Sequence, residues 1–202
     1  MTEPMRVLLP VSAGNEEIEF TAIFDVLRRG DLDVVIAGID GSIDPVRLQM
    51  GLRIIPDCTL EQASESQWDA IVMAGGIPGA MNLGDSTLLR DMLVSQHAAG
   101  RLIAAICLSP ALVLQPAGVL DQSARATCNP KPIRMPDHAW PPDEFTSRLG
   151  DKFDPDARVC VDAEHNVITS QTPGTAIEFA LAIVEAMRGS DEASRIRDYI
   201  LV

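Results

Sequence analysis

Cys107 follows the most apolar run of the chain, Leu102-Ile103-Ala104-Ala105-Ile106, and precedes Leu108-Ser109-Pro110, where proline suits the first turn of a helix. A thiol at such a strand-to-helix turn has two readings. It is a small hydrophobic filler, as most buried cysteines are. Or it is a nucleophile, because free N–H groups and the helix dipole at a helix N-terminus favour thiolate. The sharp reversal also suits a nucleophile elbow, which lifts the reactive atom clear of a sheet.

Two further features bear on that thiol. On a helical wheel, Phe20, Ala22, Ile23, Phe24, Val26 and Leu27 form an apolar arc, and Glu19 falls inside it between Val26 and Ile23. Burying a carboxylate is costly unless it is protonated or hydrogen-bonded. Either the first turn frays and Glu19 reaches water, or a protonated carboxyl group is aimed into a site. A protonated Glu19 can donate to a thiolate, whereas an ionised one raises the thiol pKa. Glu16 lies at the end of the same arc, and Glu17 faces the polar side as a cap or solvated residue. The second feature is Gly75-Gly76-Ile77-Pro78-Gly79. It lacks the GxGxxG and Walker lysine of phosphate loops. It is either a tight turn or an oxyanion hole whose backbone N–H groups approach a substrate oxygen.

The elements that must position these groups follow from the apolar patterning. Arg6–Val11, Asp33–Gly38, Ala70–Ala74 and Leu102–Ile106 read as buried strands. Helical patterns run from Glu16 to Arg29, from Ser86 to Ala99 and onward from Pro173-Gly174, with a short polar helix over Asp191–Asp198. Val46–Met50 with Arg53–Ile55, and the two halves of Val159–Ser170, read as hairpins. Continuous apolar strands alternating with amphipathic helices imply an α/β flavodoxin-like doubly wound sandwich, with a mostly parallel sheet and helices on both faces. The expectation is one domain over residues 1–202, with sites at the carboxyl ends of strands. Residues 129–155 break the pattern as a long irregular loop of the kind that covers sites.

Composition narrows the function. A formal net charge of -13 argues against nucleic acid and anionic membranes, which need clustered Lys and Arg. No apolar run reaches the ~20 residues of a membrane span. The four cysteines, Cys58, Cys107, Cys128 and Cys160, form no CxxC pair and no zinc spacing, so they read as reduced thiols of a cytoplasmic protein without metal or cofactor.

Four segments then carry a resemblance. Gly14-Asn15-Glu16-Glu17-Ile18-Glu19, Ala74-Gly75-Gly76-Ile77-Pro78-Gly79-Ala80, Leu102-Ile103-Ala104-Ala105-Ile106-Cys107 and Thr172–Ala180 closely resemble the DJ-one/ThiJ/PfpI superfamily, in its DJ-one/ThiJ/YajL branch. The match spans nearly the whole chain in the family's order. The resemblance implies a homodimer, a reactive Cys107, a carboxyl partner in Glu19, and oxyanion-type donors on Gly75, Gly76 and Leu108. It further implies ready oxidation of Cys107 to a sulfinate. The implied activities are glutathione-independent glyoxalase or deglycase action on small carbonyls such as methylglyoxal, or redox sensing and chaperone-like protection without turnover.

The chain also departs from the family pattern. Leu108 stands where the protease-like branch has a His, so a peptidase lacks its base. Thr127-Cys128-Asn129-Pro130 stands where family members often carry Thr-His-Pro, so Asn129 or Cys128 takes the place of that His. Neither shuttles protons near neutral pH as His does. Cys128 could serve as a second redox thiol, and His138, in the long loop, could swing towards Cys107.

Overall fold

The computed structural model describes residues 4–135 and 138–202, without the side chains of residues 134, 135 and 138. Strand β1 (Arg6–Val11) leads into helix α1 (Glu17–Arg29), strand β2 (Asp33–Gly38) and a small hairpin, β3 (Val46–Arg47) with β4 (Arg53–Ile54). Edge strand β5 (Cys58–Thr59), helix α2 (Leu60–Ser64) and strand β6 (Ala70–Met73) follow, then α3 (Gly79–Asp85), α4 (Thr87–Ala98) and β7 (Leu102–Ile106). After a π-type turn over Pro110–Leu114, the long loop holds only β8 (Arg134–Met135), β9 (His138–Ala139), α5 (Thr146–Leu149) and a 3-10 turn. The chain ends with the hairpin β10 (Val159–Asp162) and β11 (Val167–Ser170), then α6 (Ala176–Arg188) and α7 (Ser190–Ile200).

Seven strands form one sheet in the order β10-β11-β7-β6-β1-β2-β5, with only β10 antiparallel to its neighbour. The inner strands are buried along their whole lengths, which is why they read as continuous apolar runs. Helices α1 and α6 pack on each other on one face, and α2, α3 and α4 cluster on the other. This is the α/β flavodoxin-like fold that the patterning implies.

The sequence order of the strands reverses at β1, which lies between β2 and β6. The loops leaving β1, β6 and β7 therefore open into one crevice, the usual ligand position in such sheets. Those loops carry Gly14 to Glu19, Gly75 to Gly79, and Cys107.

Candidate active site

Cys107 has the left-handed backbone conformation, with φ 66°. For a residue with a side chain this costs about 1–2 kcal/mol. Two hydrogen bonds hold it there. The Cys107 N–H donates to the Ser170 carbonyl at 3.0 Å, and the Cys107 carbonyl accepts from the Asn129 N–H at 2.9 Å. The buried Ser109 hydroxyl donates to the Ala74 carbonyl at 2.7 Å and ties the elbow to the loop after β6. The nucleophile-elbow geometry expected from the sequence is therefore present.

Glu19 is fully buried, as its place on the wheel requires. Phe20, Ile23, Val26 and Leu27 on the same helix are buried with it. Each such apolar side chain contributes about 2 kcal/mol of burial, which is enough to carry the carboxyl group inside. Its Oε2 accepts the Gly75 N–H at 2.7 Å. Its Oε1 has no conventional partner, and the carboxyl group meets the Cys107 thiol. Burial pushes the Glu19 pKa up to about 8, against the lowering effect of the Gly75 N–H. Burial thus favours the protonated form of Glu19.

The Gly75 N–H is committed to Glu19, which leaves Gly76 as the glycine of the expected pair whose N–H faces the thiol. Gly75 has another reason to be glycine. A Cβ there would lie 2.5 Å from the Cys107 Cβ and 3.0 Å from Glu19 Oε2. Gly76, at φ 94°, directs its N–H to the Cys107 sulfur. Among the described residues the Leu108 N–H has no acceptor.

The thiol itself differs from expectation. Burial comes first and the Glu19 charge second in pushing the Cys107 pKa well above its ordinary value. The Gly76 N–H and the Asn129 side chain pull it down. The short helical stretch expected after Cys107 is a five-residue π-type turn, Pro110–Leu114, which brings little of the expected dipole. The groups that favour the thiolate are the individual donors Gly76 N–H and Asn129 Nδ2, while Glu19 opposes it. Cys107 and Glu19 titrate as a coupled pair.

Of the two residues expected to stand in for the His of the resemblance, Asn129 is the one whose side chain faces Cys107. Its Oδ1 accepts the Lys131 N–H at 2.8 Å, which fixes the orientation of the amide. Its Nδ2 then points at Cys107 Sγ, 3.8 Å away. Cys128 does not take this role. It is fully buried, its sulfur lies 3.9 Å from the Asn129 carbonyl oxygen, and burial alone pushes its pKa up to about 12. The side chain of His138 lies outside the described residues. The other two histidines are remote: His165 pairs with Asp162 at 2.9 Å in the β10–β11 turn, at the far end of the sheet, and His97 ends α4.

A cleft of about 280 Å³ opens onto the sulfur, lined by Glu16, Gln49, Gly76, Ile77, Cys107, Leu108, Asn129, Pro132, Ile133 and Pro173. Several of these were not legible as site residues. Gln49 arrives from the β3–β4 hairpin and accepts the Ile77 N–H at 3.2 Å. Buried Asn15 donates to the Gly75 carbonyl at 2.8 Å and accepts the Ser12 N–H at 2.7 Å, so it locks the β1 loop to the glycine loop. The capping role also moves by one residue. Glu16 caps α1 by accepting the Glu19 N–H at 2.8 Å. Glu17 instead accepts the N–H groups of Met50 and Leu52 and grips the hairpin. Among the described residues no cluster of His, Cys, Asp and Glu could hold a metal, and no helix is long and apolar enough to cross a membrane.

Comparison with known proteins agrees with this arrangement. The family model described as DJ-1/PfpI family matches residues 5–186.

The chain belongs to the DJ-1/PfpI family.

Among its relatives, a Caenorhabditis elegans protein named glutathione-independent glyoxalase DJR-1.2 is 37% identical, over 94% of this chain and 91% of that one. DJ-1 homolog B of Arabidopsis thaliana is 36% identical over 98% of this chain, which spans only 41% of that longer relative. The solved structure of oxidized Toxoplasma gondii DJ-1 superposes with a TM-score of 0.86 at 35% identity, covering 98% of both chains. The DJ-1/PfpI family thus includes a glyoxalase, and this member has a cysteine at a strand-to-helix elbow, against a buried carboxyl group, beneath a cleft of mixed polar and apolar lining.

Proposed function

We propose that the protein is a cysteine-dependent enzyme acting on small reactive carbonyls, with methylglyoxal-type substrates and glyoxalase or deglycase chemistry. The contact between Cys107 and the buried Glu19, at the floor of a cleft with room for a small molecule, carries this reading. A relative at 37% identity that is named a glutathione-independent glyoxalase supports it.

The reactive form of the pair holds one proton. With that proton on Glu19, the Cys107 sulfur attacks the aldehyde carbon and forms the C–S bond. The carbonyl electrons move to oxygen, which receives the Glu19 proton, giving a hemithioacetal. The Gly76 and Leu108 N–H groups hold that oxygen. The Glu19 carboxylate then removes the C1 hydrogen as a proton and returns it to C2 through an enediol, while the proton on the C1 oxygen passes to the C2 oxygen as the C1 carbonyl re-forms. A thioester of a hydroxy acid results, and water cleaves it to restore the thiol. No net oxidation occurs and no redox cofactor is needed. Purified protein should convert methylglyoxal to lactate, and Cys107→Ala should not. Equal rates for the two proteins would remove the enzymatic reading.

Asn129 favours a second reading, because it supplies no titrating group beside the sulfur. On that reading Cys107 is a redox sensor or protective site that is oxidised stoichiometrically by peroxide to a sulfinate hydrogen-bonded by Glu19. Peptide mass spectrometry would then show oxidation confined to Cys107, with no lactate formed. We place the protein in a reducing compartment such as the cytoplasm, where four free cysteines persist.

We also propose a homodimer through the face that carries Ile18, Met50 and Leu52, which are 58%, 81% and 44% exposed. Glu17 binds this hairpin to α1, so the three apolar groups form one surface. Light scattering should give the mass of two chains for the native protein and of one for Ile18→Glu.

A further inference from the structure

Strand β7 lies between β6 and β11, so its elbow is approached from two sides. Gly76 comes from the β6 side and directs its N–H at the sulfur. Asn129 comes from the β11 side, where the Thr127 N–H donates to Thr169 Oγ1 at 2.9 Å and anchors the segment over that strand. Donors therefore flank Cys107 Sγ on both sides. A substrate carbon bound to the sulfur thus has one donor set, Gly76, on the β6 side and a second donor, Asn129, on the β11 side.

We propose that Asn129 is a catalytic hydrogen-bond donor that receives the second carbonyl oxygen of a vicinal dicarbonyl, making the site selective for α-oxoaldehydes over simple aldehydes. This deepens the glyoxalase reading and rests on it. Asn129 is only 7% exposed but lines the cleft, so its amide is presented to a ligand rather than to bulk water. The Lys131 N–H saturates one side of Oδ1 and prevents the amide from flipping to offer an acceptor. Nδ2 carries two hydrogens, so one can stay near the sulfur while the other reaches the substrate. During the proton shift from C1 to C2, negative charge grows on the second oxygen, and a fixed donor there stabilises the enediolate at no cost in reorganisation.

Asn129 neither gains nor loses a proton in this cycle. The titrating groups that line the cleft with it are Cys107 from the elbow and Glu16 from the cap of α1, with Glu19 against the thiol, and the Lys131 side chain two residues on is exposed. Proton transfer falls to Glu19, the carboxyl group that meets the sulfur.

The test measures kcat and KM for methylglyoxal and phenylglyoxal, together with hemithioacetal formation by propionaldehyde, from pH 5 to 10. The proteins are wild type, Asn129→Asp and Asn129→Ala. Asn129→Asp keeps the shape and the Lys131 contact but replaces the donor with an acceptor. Its dicarbonyl kcat should fall about 100-fold at pH 8, the scale of losing one oxyanion donor. It should recover partly at acid pH, where a protonated Asp donates again. Propionaldehyde addition uses the same thiol but offers no second oxygen, so it should fall by a smaller factor than dicarbonyl turnover; an equal fall in both would place the effect on the thiol and overturn the assignment. Asn129→Ala should lose a similar factor with no recovery at acid pH. Dicarbonyl turnover by Asn129→Asp and Asn129→Ala within threefold of wild type would overturn the assignment while leaving the glyoxalase reading intact. Absence of dicarbonyl turnover in wild type would overturn both.

Discussion

Cys107 and Cys128 are both buried thiols, and the Asn129 N–H to Cys107 carbonyl bond brings their segments together. Their surroundings differ in kind. Cys128 meets only one carbonyl oxygen, at 3.9 Å, and burial alone sets its pKa at about 12. Cys107 sits at a left-handed turn and meets a carboxyl group, a backbone N–H and a side-chain amide. Burial raises the pKa of both thiols, so it does not distinguish them. What does is the set of polar partners around Cys107, of which Glu19 can exchange a proton with the sulfur.

The contrast can be broken most sharply by removing each thiol in turn. Cys107→Ala should lower methylglyoxal turnover by about 1,000-fold or more, to the level expected when a nucleophile is lost. Cys128→Ala should stay within about twofold. A large loss in the second variant, measured by lactate formation, would mean that the two thiols work together.

Glu19→Gln should lower kcat by about 100-fold, since general acid–base groups contribute on that scale. It should also change stability in a pH-dependent way. Burial raises the folded-state pKa of Glu19 to about 8, above that of the unfolded chain. Between the ordinary carboxylate range and pH 8, the folded protein holds a proton that the unfolded chain has lost. Stability therefore falls as pH rises through that window. The neutral amide removes this decline. Urea unfolding should show Glu19→Gln close to wild type near pH 5 and more stable by several kcal/mol near pH 9. Parallel curves at the two pH values would mean that Glu19 keeps an ordinary pKa.

Gly75→Ala sharpens the comparison from the backbone side. Its Cβ would press on both Cys107 and Glu19. A cost of about 2 kcal/mol or more in thermal unfolding is expected for such overpacking. Iodoacetamide should alkylate Cys107 in the folded protein and reach Cys128 only after unfolding. The smallest expected effect is that of Cys128→Ala on stability, about 1 kcal/mol for losing a well-packed sulfur.

The chain pattern discloses some of this and conceals the rest, for physical reasons. The span Arg6–Val11 is legible to the residue because a strand buried on both faces must be continuously apolar. Glu19 is legible because a charged residue on an apolar arc has only a few explanations. The edge strand Cys58–Thr59 and the helices α2 and α3 are not, because two to seven residues are too few to show a period. Whether Asn129 or Cys128 faces the sulfur depends on the path of an irregular segment, where no periodicity assigns a direction. The commitment of the Gly75 N–H to Glu19 is likewise invisible, since glycine types alone do not say where their N–H groups point. The resemblance supplied the order of the motifs, and the geometry supplied which donors remain free.

The backbone of Cys107 carries a final consequence. A glycine at φ 66° relaxes a conformation that a cysteine holds under strain. The inactive variant Cys107→Gly should thus melt at or above the temperature of the working protein, despite its lost side-chain contacts. On the proposed function, the thiol at the elbow is held at a cost in stability that a glycine there would recover.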